Sequence, residues 1–276
     1  MTVASKSIIE ANFVKEMAEL ASIMWLHGWD ERNGGNISYI IDEDELRPYL
    51  NPDHVKKSLP FNGFGEVPEN LVGKIFLVTA TGSYFKNVEK RPSEELGIVR
   101  LNERGDSIDV LWGFEAERGP TSEFPTHLLS HSVRLARNPN HKVILHNHAT
   151  NISAMTFVHS LDENELTRTL WGIISECLIV FPDGVSVIPW MVCGNRDIAE
   201  ATAEKMRESR IVLWPHHGIL ASGDTFDDAY GLIETVEKAA QIYMLTYRNV
   251  RAQITDSQLK DLAQAFNVVP KEGILH

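Results

Sequence analysis

The segment KVILHNHATN, residues 142–151, carries His146 and His148 at alternate positions where an apolar run ends. In a strand, side chains at i and i+2 leave the same face, so the two imidazoles project together. Neutral imidazole nitrogens placed this way bind one borderline-soft cation such as zinc. An isolated His-x-His is short and arises often by chance, and alone it reads as two polar residues where a strand meets a loop. A second histidine site changes that weighing. IVLWPHHGIL puts His216 and His217 at another strand end, just before Gly218. Adjacent strand residues face opposite ways, so at most one of these two joins the first pair. Three histidines with an open fourth position form the pattern of a catalytic zinc site. A structural site would want a closing ligand, often Cys, but Cys177 and Cys193 lie in no Cys-x-x-Cys or Cys-x-His pair.

Proton transfer at such a site needs a carboxylate. GPTSEFPTH offers Glu123 at the start of a helix, beside Thr121 and Ser122. On helix signals alone it reads as a capping glutamate. A helix N-terminus and a nearby cation would both keep it ionised, as a base must be. Glu176 precedes an apolar run in ISECLIVFPDG, where a charge is unexpected unless the residue is a solvated loop position. Two glycine-containing turns could cradle an anion on successive backbone N–H groups: NGGN, residues 33–36, and the Thr81-Gly82-Ser83 turn of TATGSYF. Either alone is more often only a turn. Neither a Walker A sequence nor a Gly-x-Gly-x-x-Gly fingerprint occurs, which argues against a nucleotide cofactor.

The elements that must hold these groups alternate between helix and strand. Ile9, Phe13, Met17, Leu20 and Met24 recur at three- and four-residue steps, which predicts an amphipathic helix over 8–27 with Gly28 as its stop. Strands are expected in NISYII, KIFLVT, LGIVRL, SIDVLWG and HKVILHNH, and again on both sides of PHHG. LIVFP and GVSVIPW read as short strand-like runs. Helices are expected after PTSE, in ELTRTLWGIISE, in RDIAEATAEKMRES, over 225–248 and over 256–266. Residues 47–73 read as an irregular insertion. No regular βαβ rhythm is present. One α/β domain over residues 1–276, with a largely antiparallel central sheet flanked by helices, fits best.

The formal charge of -12, from 38 acidic and 26 basic side chains, argues against nucleic-acid binding, which needs a basic face. It leaves room for a small anionic substrate held by local N–H groups. The opening segment MTVASKSIIEANFVKEM lacks an uninterrupted apolar signal, and CLIVFPDGVSVIPWMVCG is broken by Pro182, Asp183, Gly184 and Pro189. The expected setting is the cytoplasm, with no membrane partner.

Together, GWDERNGGN, PTSEFPTH, ILHNHATN, ECLIVFPDG, IPWMV and VLWPHHG resemble the class II aldolase and adducin-like family, in order from about residue 25 to 250. GWDERNGGN and FPDG resemble the branch that acts on L-rhamnulose 1-phosphate. The resemblance implies a C4-symmetric homotetramer with active sites at subunit interfaces. It implies one zinc per subunit on His146, His148 and His217. It makes Glu123 the catalytic acid/base and sends Glu176 into a neighbouring subunit's site. Asn33, Gly35, Thr81, Gly82 and Ser122 would lie around the phosphate of a phosphorylated ketose. The implied reaction is reversible cleavage to dihydroxyacetone phosphate and L-lactaldehyde. Relatives acting on other sugar phosphates (fuculose-1-phosphate aldolases, pentulose-phosphate 4-epimerases, dehydratases) would share the metal and base, whereas a non-catalytic adducin-like module would lack them. The chain departs from the family pattern at Ser83, where a lysine is expected, and at His216, which is given no role.

Overall fold

Burial of the central strands on both faces organises the chain. The computed structural model describes residues 6–60, 67–115 and 117–276. Its strands are β1 (Asn36–Ile41), β2 (Lys57–Pro60), β3 (Ile75–Thr79), β4 (Leu96–Leu101), β5 (Ser107–Gly113), β6 (Val143–Asn147), β7 (Ser186–Val187), β8 (Ile211–Trp214) and β9 (Gly218–Gly223). They form one nine-stranded sheet in the order β2-β5-β4-β3-β1-β6-β9-β8-β7. Every pairing is antiparallel except β7 with β8. This is the α/β fold with a mostly antiparallel sheet that the sequence implies.

The central strands are buried on both sides, so they read as continuous apolar runs. Ile37, Tyr39, Leu77, Val143, Leu145, Ile219 and Ala221 join one core with the helices Asn12–Leu26 and Phe226–Thr246. The alternate residues Ile40, Phe76 and Val78 pack on Phe124 and Leu128 of the helix Phe124–Leu135. Farther along, Ile144, Val212 and Leu220 meet the helix Arg196–Met206 through Ile198, Ala203 and Met206. The second face matters most here, because Asn36, Ser38 and His146 share its strand parity.

Three expectations give way. The helix expected through ELTRTLWGIISE ends at Trp171, and Ser175 opens a separate one. LIVFP is no strand: Ser175–Val180 is a helix. The buried residues Cys177, Leu178 and Phe181 stand three and four apart, a helical spacing that appears only when the run is read from Ser175. The insertion is also less irregular than expected. Lys57–Pro60 pairs with β5 at the sheet edge, where Pro60 can end a strand without costing a ladder bond. Residues 61–66 of that insertion lie outside the described residues. A short helix, Thr150–Met155, follows the paired histidines directly.

Candidate metal centre

Sheet pairing brings the distant histidine segments together. Asn36 of β1 faces His146 of β6, and His146 in turn faces Leu220 of β9. The turn from β8 to β9, closed by Trp214 opposite Gly218, carries His216 and His217 back to the same sheet end. Only glycine fits at 218: a Cβ there would stand 2.4 Å from the Asn147 carbonyl and 2.9 Å from the His146 ring. That close approach lets β9 bring its preceding turn against β6.

His146, His148 and His217 form a nearly equilateral triangle, with ring centroids 5.2, 5.0 and 5.1 Å apart. Each offers one ring nitrogen within 4.8 Å of the other two. Hydrogen bonding fixes which nitrogen is free. His146 Nδ1 donates to the Ile219 carbonyl at 3.1 Å, and its buried Nε2 has no hydrogen-bond partner. His148 Nδ1 donates to the Glu31 carboxylate at 2.9 Å. In both, the outer bond sets the tautomer and leaves Nε2 as the lone-pair donor. Burial and the neighbouring imidazoles hold His146 well below the usual histidine range, and burial first, then His148, lowers His217 to about 4. His146 and His217 are therefore neutral near pH 7, the form a metal ligand needs.

Of the adjacent pair, His217 faces the cleft. His216 sits at φ +60°, bonded to the Thr156 hydroxyl and packed on Phe157 with ring centroids 4.4 Å apart. A left-handed residue at 216 turns the chain so that its neighbour points inward.

Glu123 is buried beside this triangle. Its Oε2 accepts from Asn36 Nδ2 at 2.8 Å and lies 3.6 Å from His146 Nε2, and its Oε1 lies 4.0 Å from His217 Nε2. Although Glu123 is the N-cap residue of the helix, its side chain makes no capping bond. The capping interpretation therefore fails, and the carboxylate is turned into the cleft instead. Burial pushes its pKa up, while the Asn36 hydrogen bond opposes that rise.

These groups line a cleft of about 360 Å³. Asn33, Gly35, Thr81, Gly82 and Ser122 line it too, so nine of the ten residues singled out from sequence meet there. Glu176 does not: it is exposed on the helix Ser175–Val180, away from the cleft of its own chain. Ser83 is buried behind the turn and does not line the cleft. The sequence assigned no role to the lining residues Glu31, Arg32 and Cys193, and it named Asn36 only as part of the NGGN turn. The charged pair before the Gly-Gly turn was the available signal for the first two. Arg32, at φ +51°, puts a cation beside the two glycine turns, in a cleft where the expected lysine is absent. Nothing in the spacing of Cys193 announces its approach to Glu123 and His217, with donor atoms within 4.8 Å of each other.

The sequence pattern of the Class II Aldolase and Adducin N-terminal domain matches residues 15–244. The chain belongs to the class II aldolase and adducin family. Among members of that family, the rhamnulose-1-phosphate aldolase of Listeria welshimeri is 53% identical over 98% of this chain and 97% of its own. Its counterpart in Enterococcus faecalis is 50% identical over 98% and 96%, and that of Klebsiella pneumoniae is 41% identical over 98% of both chains. A sugar-phosphate aldolase from Thermotoga maritima has the same fold, with a TM-score of 0.74 and 30% identity over 86% of this chain and 96% of that one. Within the class II aldolase fold, the three histidines and Glu123 stand at the strand ends and helix start described above. No helix among the described residues is long and apolar enough to cross a membrane.

Proposed function

We propose that this chain is a zinc-dependent lyase that reversibly cleaves L-rhamnulose 1-phosphate to dihydroxyacetone phosphate and L-lactaldehyde. Residues 1–276 would act as one domain, in the cytoplasm. The observation that carries the reading is the buried Glu123 carboxylate set against a triangle of three converging histidines. Relatives of nearly full length, at 53% and 50% identity, bear that substrate in their names.

The donor set fits a metal. Three imidazoles converge, two of them oriented from behind by a carbonyl and a carboxylate, and the buried His146 Nε2 has no other partner. His146, His148 and His217 would hold the ion beside the cleft. Zinc bound there would supply Lewis acidity for the charge that builds on the ketose carbonyl oxygen during C3–C4 cleavage. Glu123 then moves the proton at the carbon that has lost its neighbour, and Asn36 holds the carboxylate in place. No lysine is needed as a Schiff-base former. Backbone N–H groups around Asn33, Gly35, Thr81 and Gly82, with the Ser122 hydroxyl, would receive the phosphate, and Arg32 supplies positive charge there.

Glu176 would complete the site of a neighbouring subunit in a C4 homotetramer, which accounts for its exposure in the single chain. The deciding experiment assays purified protein against L-rhamnulose 1-phosphate, L-fuculose 1-phosphate, a pentulose 5-phosphate and a sugar-phosphate dehydratase substrate, with and without chelator. Chelator-sensitive turnover that is greatest on L-rhamnulose 1-phosphate is expected. Preference for another of the four overturns the substrate, and full activity after verified metal removal overturns the metal.

A further inference from the structure

Behind Glu123 runs a single file of buried polar groups that leads away from the cleft between β1 and the helix Phe124–Leu135. Asn36 Nδ2 donates to Glu123. The Asn36 carbonyl oxygen meets His127 Nε2. His127 Nδ1 lies 2.6 Å from the Ser38 hydroxyl, which lies 2.8 Å from His131 Nε2. His131 Nδ1 lies 2.9 Å from His141 Nε2. Asn36, Ser38, His127, His131 and His141 are at most 6% exposed. Two periodicities build the file. Asn36 and Ser38 are two apart on a strand, and His127 and His131 are four apart on a helix, so each pair presents one face to the other.

The direction of every bond follows from the end at the cleft. An ionised Glu123 can only accept, so Asn36 must turn its NH2 toward it and its carbonyl toward His127. His127 must then carry its proton on Nε2. Burial keeps the ring neutral, with its pKa near 3, so Nδ1 is an acceptor and takes the Ser38 hydroxyl proton. The Ser38 oxygen is left to accept from His131 Nε2, and His131 Nδ1 to accept from His141 Nε2. Buried polar groups ordinarily satisfy one another and do no more. This file differs because one orientation runs through all of it and ends on a carboxylate in the cleft.

We infer that His127 and Ser38 are positioning residues, which with His131 and His141 lock the Asn36 amide so that it holds Glu123 in its reactive orientation. The inference rests on the reading of Glu123 as the proton-transfer group. Without the His127 donor, the Asn36 amide is free to flip, presenting an oxygen to the carboxylate. A hydrogen bond to a charged group is at stake, so the rate of proton transfer should fall about 10- to 100-fold. Binding of the phosphate end should be unchanged, because the backbone N–H groups that would receive it stay in place when His127 or Ser38 is replaced.

The test uses metal-loaded protein and follows exchange of the dihydroxyacetone phosphate C–H with deuterium from solvent, with no aldehyde present. Metal content and dihydroxyacetone phosphate affinity are measured alongside. His127→Leu should lose exchange by that factor at unchanged affinity and metal content. His127→Gln, whose amide N–H can replace Nε2–H toward Asn36, should recover most of it. Ser38→Ala interrupts the file with a smaller change and should show a loss in the same direction, which keeps the inference testable if His127→Leu does not fold. Nitrogen-15 spectra of labelled histidine should show His127, His131 and His141 as neutral Nε2–H tautomers in the wild type. Wild-type exchange in His127→Leu or Ser38→Ala, equal loss in the Leu and Gln variants, or an Nδ1–H tautomer at His127 would each overturn the inference. Glu123→Gln run beside them separates the two ideas. Undiminished exchange there defeats the role of Glu123, while the nitrogen spectra still decide whether the file is oriented as deduced.

Discussion

Replacing Glu123 by Gln is the sharpest perturbation of the proposed chemistry, because shape is nearly kept. The side chain sits between one hydrogen-bond donor, Asn36 Nδ2 at 2.8 Å, and two histidine nitrogens at 3.6 and 4.0 Å. A Gln amide oxygen can still accept from Asn36, so the helix start and the packing around it should survive. What disappears is the ability to take a proton. General acid–base groups contribute about 10²–10⁴-fold in rate, so cleavage and solvent exchange should both fall by that order. Metal content should hold, because the three histidines are untouched. Removing a carboxylate from a buried site also removes its desolvation cost, so thermal stability should be equal to or above that of the wild type. Cleavage of L-rhamnulose 1-phosphate, read by coupled reduction of the dihydroxyacetone phosphate formed, gives kcat and KM; metal analysis of the same preparation gives occupancy. A metal-replete Gln variant with wild-type kcat would refute the assignment and leave Glu123 as a residue of the helix start alone.

His146→Ala should lose both metal and activity, and His217→Ala should do the same, while His216→Ala keeps both; metal analysis of the three variants checks this, and the reverse result at 216 and 217 would assign the wrong neighbour. Mixed oligomers of Glu123→Ala and Glu176→Ala, each inactive alone, should regain part of the activity, since some interfaces then hold both native groups; no recovery in verified mixed oligomers refutes an intersubunit Glu176. His141 is depressed to about 3 by burial first and by Arg134 second, against about 6.5 in an unfolded chain. The unfolded state thus binds the proton first, so the stability this neutral ring contributes is complete above pH 6.5 and is lost as pH falls toward 3. Between pH 6.5 and 5.5 the advantage of wild type over His141→Gln in urea unfolding should shrink by about 1 kcal/mol, and a constant gap would contradict a neutral buried ring.

Much of the fold was legible because its strands and helices carry the two periodicities cleanly. PHHG was read as a pivot between strands, and β8 and β9 flank it. The helix over 256–266 begins at a Thr255 capping box with Gln258 and ends at Asn267 in the left-handed conformation, all local signals. Legibility failed where local signal and tertiary demand part. LIVFP is β-branched and apolar, yet it is the end of a helix whose first turn is polar. Lys57–Pro60 has only two inward residues, and it is a strand because β5 offers an open edge.

The site was legible one segment at a time and illegible in its joints. His-x-His on a strand end states its own geometry, since i and i+2 share a face whatever the rest of the chain does. The choice between His216 and His217 has no such rule: it turns on a positive φ at a non-glycine residue, which the surrounding packing imposes. Glu123 carried the opposite difficulty. Its sequence context argued for a cap, and only the approach of β1 through Asn36 shows the carboxylate engaged elsewhere. Ser38, His127 and His131, and the contact of Asn36 with Glu123, stayed invisible for the same reason. Polar residues in a buried strand and on the inner face of a helix look like errors of pattern when each element is read alone. They become sensible only as a pair of faces, each supplying the partners that the other lacks, and this complementarity is a property of the sheet order and not of either segment. Where two such anomalies occur in elements that pack together, their sum points to a polar interior with a purpose, and here that interior ends on the carboxylate at the centre of the cleft.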